Sequence, residues 1–113
     1  MKPLIHKGLS EGRWFTFSIV EQLANVGSEF ERAASAFQRG DEARFEKAFE
    51  RMLELLDLTI ADPKSRNHCR LRELLRLREA VCDVFHGNEV YGIPIDVLKK
   101  DFLYFGIAAR ANR

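Results

Sequence analysis

Long apolar runs are missing from this chain. Nowhere do eighteen apolar residues follow one another, so the sequence predicts no membrane-crossing helix and no membrane partner. The opening MKPLIHKGLSEGRW lacks the apolar stretch of a signal peptide, which points to the cytoplasm. Cysteine is scarce. Cys69 and Cys82 fall thirteen residues apart in one predicted helix, a rise of ~20 Å that no disulfide spans, so both are expected as reduced and mostly buried thiols. Charge of one sign is lacking too: eighteen Lys and Arg face seventeen Asp and Glu, net +1, which argues against a strongly cationic coat for nucleic acid and leaves local patches open. Catalytic patterns are absent. There is no Gly-x-Ser-x-Gly, no phosphate-cradling glycine loop and no His-Glu-x-x-His, so neither enzyme activity nor a cofactor is expected. Cys82 and His86 sit one turn apart, but with no further ligands at metal spacing they predict no metal site.

What is present is helical periodicity. Ser18 and Glu21 form a capping-box pattern, after which Ile19, Leu23, Val26, Phe30, Ala33, Ala34 and Phe37 recur every three or four residues until Gly40-Asp41. A second stripe runs from Phe45 through Ala48, Phe49, Met52, Leu55 and Leu56 to Thr59 and is stopped by Asp62-Pro63. A third carries Leu71, Leu74, Leu75, Val81, Cys82 and Phe85 and ends at Gly87-Asn88; a fourth follows Pro94 with Ile95, Leu98, Phe102, Phe105 and Ala109. No stretch alternates with period two. The pattern predicts an all-α, antiparallel four-helix bundle in up-down-up-down order, with helices over 18–39, 42–61, 63–86 and 94–110. Residues 1–17 carry Leu4, Ile5, Leu9, Trp14, Phe15 and Phe17, too apolar for a free tail, and are expected to pack as an arm on the bundle or a partner.

Three sets of residues are candidates for function. Arg78 falls inside the third apolar stripe and needs an acceptor; Glu29, with Gln22 and Asp101 as alternatives, would complete either a buried ion pair or a pocket for a small anionic ligand. Segment charge suggests the second set: 41–62 is net −4, whereas 64–78 is net +5. Ion pairing between helices two and three accounts for much of this, and Lys64, Arg66, His68 and Arg70 remain as a possible phosphate-binding cluster for nucleic acid. Val97, Leu103, Tyr104 and Ile107 form the third set, on the side of helix four opposite its core stripe, where a monomer would expose them. Ala24, Gly27, Ser28 and Ser35 on helix one make a narrow small-residue face that a neighbouring helix could approach.

The segments Gly12-Arg13-Trp14, Glu21 to Glu29 (EQLANVGSE), Leu53 to Asp62 (LELLDLTIAD) and Gly87-Asn88-Glu89 resemble a family of short, uncharacterised prokaryotic all-α proteins. The resemblance implies a compact helical protein and brings no activity to transfer. HEPN ribonuclease and toxin bundles are of similar size but place arginine four to six residues before histidine; here seven residues separate Arg78 from His86. The bundle accessory proteins of diversity-generating retroelements, which form rings and bind nucleic acid through a strongly basic surface, are similar in architecture only. The first expectation is thus a non-enzymatic, self-associating interaction or scaffold module, a homodimer or larger. A nucleic-acid-binding or toxin–antitoxin-type protein using the 64–70 segment is the second, and an anion binder at Arg78 the third.

Overall fold

A computed structural model describes residues 12–111 of the chain. Four helices make up the fold: α1 (Ile19–Arg39), α2 (Glu42–Ala61), α3 (His68–Phe85) and α4 (Ile95–Ala111), with no strand among the described residues. Local chemistry sets their ends. Ser18 and Glu21 form a reciprocal capping box, the Glu21 amide donating to Ser18 Oγ and the Ser18 amide to Glu21 Oε1, both at 3.1 Å. Gly40 closes α1 at φ 72°, a left-handed conformation that suits glycine, and its neighbour Asp41 accepts from the Arg44 amide to open α2.

The third helix starts later than 63. Pro63–Arg66 instead form a single 3-10 turn capped by Asp62, and Asn67 then begins α3 afresh by accepting from the amides of Cys69 and Arg70. Two Asx residues five apart each offer the backbone a cap, and a cap competes with helix continuation. Inside this turn Ser65 is buried and donates from Oγ to Thr59 O at 2.8 Å.

α1 packs along both α2 and α4, and α3 lies against α2. The shared core contains Val26, Phe30, Ala33, Ala34, Met52, Leu56, Val81 and Phe102. Phe85 draws the elements together: its ring lies 5.0–6.0 Å from those of Phe30, Phe37, Phe45 and Phe49. The small-residue face of α1 meets a helix of the same chain at Gly27, where a Cβ would stand 2.8 Å from Phe102 Cβ.

The part of the N-terminal arm that is described packs inward. Trp14 is 1% exposed and contacts Phe17 edge-on. Leu4, Ile5 and Leu9 lie outside the described residues.

Candidate anion-binding face

Net charge by segment hides an arrangement on α2. Arg44, Lys47 and Arg51 recur at three and four residues, which places them along one side of the helix, while Glu42, Glu46 and Glu50 wind along another and Glu54 comes round beside Lys47. On α1, Arg32 and Arg39 are likewise seven residues apart, separated by Ser35 and Ala36. The packing of α1 on α2 brings the two sets together. Arg32, Arg39, Arg44, Lys47 and Arg51 line a groove of about 530 Å³ floored by Ser35, Ala36 and Ala48.

A second groove, about 630 Å³, runs between α1 and α4. Lys99, Lys100 and Arg110 line it over a floor that includes Ala24, Gly27, Ser28 and Gly106. Glu31 and Arg32 belong to both grooves, so the two form one face spanning α2, α1 and α4. Neutralisation there is partial. Arg32 pairs with Glu29 at 2.9 Å, Arg44 with Asp41 at 3.5 Å and Lys99 with Glu31 at 3.8 Å. Among the described residues, Arg39, Lys47, Arg51, Lys100 and Arg110 enter no ion pair. Crowding uncompensated cations costs free energy, and an anion laid across them recovers it.

The residues singled out from the sequence take other roles. Arg78 does not enter the interior or meet Glu29. Its Nε donates to Asp57 Oδ1 at 2.7 Å between α3 and α2, with the two side chains 37% and 55% exposed. That hydrogen bond, working against some desolvation, raises the Arg78 pKa further. The physical reason is the rotation of α3: Leu74, Ala80, Val81, Val84 and Phe85 are buried while Leu75 is exposed, so the buried arc turns away from Arg78 and leaves it at the rim. Burial also raises the pKa of the half-buried Cys82 thiol nearby, whereas Cys69, in the first turn of α3, is exposed and not buried as its sequence setting suggests. Asp101 is exposed and borders a wide apolar groove of about 1020 Å³ between α3 and α4.

Gln22 is fully buried, but its partner is Asp62, 40 residues on: Nε2 donates to Asp62 Oδ2 at 2.7 Å and also approaches the carbonyls of Trp14 and Phe17. Lys64 completes this knot. Its Nζ lies 2.8 Å from Asp62 Oδ2 and donates to Phe15 O at 2.7 Å, while its amide donates to Asp62 Oδ1. Burial acts to raise the Asp62 pKa, but the hydrogen bonds from Lys64 and Gln22 outweigh it and hold the carboxyl below its ordinary value. Of the predicted basic cluster, Lys64 is therefore held by an acid, and Arg70 donates to Lys64 O at 2.8 Å. Arg66 is exposed, and the side chain of His68 lies outside the described residues.

Val97, Leu103, Tyr104 and Ile107 are 45%, 59%, 77% and 52% exposed. No group of three or more His, Cys, Asp or Glu among the described residues is arranged to hold a metal, and His86 Nδ1 lies 2.7 Å from Cys82 O. No described helix is long and apolar enough to cross a membrane.

Compared with known protein families, curated proteins and solved structures, the chain matches none. Sequence reading missed Arg44, Lys47 and Arg51 because Glu residues interleave with them, and Arg39 because it stands on another helix; sorted by helical angle, Glu42, Glu46 and Glu50 part from the cations while Glu54 stays beside Lys47.

Proposed function

We propose that the protein binds the phosphate backbone of double-stranded nucleic acid across the face formed by α2, α1 and α4. The observation that carries this reading is the groove bordered by Arg32, Arg39, Arg44, Lys47 and Arg51, continued past Arg32 into the one bordered by Lys99, Lys100 and Arg110. Two neighbouring grooves, each with cations in excess over the one Glu31 they share, suit an extended polyanion better than a compact one. Phe102 is the one aromatic ring in either groove and it is buried, so the face offers nothing for unpaired bases to stack on, and a duplex is favoured over a single strand. Small side chains on the floor, Ala24, Ser28 and Ser35, let a phosphate chain approach between taller cations. The binding so described is independent of sequence.

Several broader expectations belong to the same proposal. The four helices run up-down-up-down, with the tight Gly40-Asp41 link turning α2 back along α1. The setting is the cytoplasm, where Cys69 and Cys82 remain thiols. The family resemblance is architectural: Trp14, Gln22 and Asp62, from three of its segments, meet in one buried knot.

The test is fluorescence anisotropy with a labelled RNA or DNA duplex over a range of salt. If about four or five cations engage phosphates, log K falls against log salt with a slope of about −4. The triple variant Arg39→Gln, Lys47→Gln, Arg51→Gln should lose at least about tenfold in affinity and flatten that slope, whereas Arg66→Gln should change little. Equal binding by the triple variant, or none by the natural protein at low salt, rejects the reading.

A further inference from the structure

α4 carries two apolar seams. The inner one, Leu98, Phe102, Phe105 and Ala109, packs on the core. Around the other side of the helix, positions 97, 100, 104, 107 and 111 repeat the four-and-three alternation of a coiled-coil seam, and Val97, Tyr104 and Ile107 on it are exposed, with Leu103 beside them. Water is a poor neighbour for such a stripe.

Charge indicates what covers it. Lys100 interrupts the seam, with Asp96 and Arg110 flanking it on the side of Leu103, seven residues to either side of that leucine. Laid parallel on a second α4, the seam would set Lys100 against Lys100. Laid antiparallel about a two-fold axis beside Phe102 and Leu103, it sets Val97 against Ile107 of the second copy and Lys100 against the ring of Tyr104 of the second copy. Asp96 then faces Arg110 of the second copy, and the two Leu103 side chains meet near the axis. Each contact is made twice, as a two-fold interface requires.

We infer that α4 is a homodimerisation helix, pairing antiparallel with α4 of a second copy through Val97, Lys100, Leu103, Tyr104 and Ile107. Asp101 is the group this arrangement places least well, since its mate lies near it across the axis; the flanking Lys100 ammonium groups offset that repulsion. A helix of this length buries about 1,000 Å² in such a pair, the low end for a specific interface, so dissociation in the micromolar range is expected. Lys100, Leu103 and Arg110 also border the α1–α4 groove, so the two faces share Lys100 and Arg110, and pairing engages these two cations while it leaves the α1–α2 groove open to phosphates.

Sedimentation velocity across the micromolar range tests the pairing without any nucleic acid. The natural chain should pass from monomer to dimer, and Tyr104→Glu should shift dissociation at least tenfold weaker with the helical circular dichroism unchanged, since Tyr104 is 77% exposed. Asp96→Arg and Arg110→Asp should each weaken the dimer, and the double variant should recover it. A chain that stays monomeric at high micromolar concentration overturns the inference. A double variant no better than the singles overturns the antiparallel pairing it specifies. Neither result bears on duplex binding by the monomer.

Discussion

Asp62 is the residue on which most depends. It joins the turn after α2 to Gln22 of α1 and, through Lys64, to the carbonyl of Phe15, so a single carboxylate links three parts of the chain. Removing its charge while keeping its shape, as Asp62→Asn does, should cost about 1–3 kcal/mol at neutral pH. The sign of the pH dependence follows from its lowered pKa. The native carboxyl takes up its proton at lower pH than the unfolded one, so its contribution is complete above about pH 4 and is lost as pH falls through the native value. Asp83, held low by the amides of Tyr91 and Val90, weakens in the same window, but it does so in both proteins and cancels from the comparison. Urea unfolding at pH 7 and pH 3 should therefore show a gap between natural chain and variant that narrows in acid; an equal gap at both would refute the assignment. Single residues were legible in the sequence where their partners are local, as Ser18 with Glu21 is. Gln22 and Asp62 were not, because nothing in a one-dimensional pattern joins positions 40 apart.

Elements were more legible than their rotations. All four helices stand near where apolar spacing puts them, because burial of a stripe requires only the right period. Which part of a broad stripe is buried is decided by the neighbour. On α3 the aliphatic residues cover more of the helix than α2 and the core can hide, and the helix settles with Leu77, Ala80 and Val84 inward and Arg78 at the edge. The α1–α4 contact shows the same dependence in its tightest form. Ala in place of Gly at a helix interior gains about 1 kcal/mol from backbone entropy. At Gly106, where a Cβ meets nothing within 4 Å, Gly106→Ala should therefore stabilise the chain by about 0.5–1 kcal/mol. At Gly27 the same change drives a methyl to 2.8 Å from Phe102 Cβ, and Phe102 is itself buried with its ring 5.0 Å from Phe30. Overpacking of that kind costs about 1–3 kcal/mol, more than the propensity gain, so Gly27→Ala should destabilise. Thermal melts of the two variants should move in opposite directions; a shift of the same sign in both would mean that α4 does not approach α1 so closely.

At the scale of the whole molecule, a formal charge of +1 conceals a strongly uneven distribution. The eight cations of the face against Glu29, Glu31 and Asp41, the acids that pair with three of them, give it +5, so the rest of the chain, ten basic against fourteen acidic residues, carries −4. A chain so divided turns its cationic face toward a polyanion and its acidic remainder away, and the orienting field extends about one Debye length, ~10 Å at 0.1 M salt. Net charge therefore predicts the wrong chromatography. A protein of +1 should pass through a sulfated polysaccharide resin at neutral pH, whereas this distribution should retain it until several hundred millimolar salt, on the order expected when several cations release counterions together. The control is a neutral substitution elsewhere: Arg66→Gln lowers net charge by one and should hardly move the elution, while Arg51→Gln, identical in net charge, should bring it forward. Co-elution of the two variants would mean that the resin senses total charge and that the grooves of α2, α1 and α4 do not act as one face.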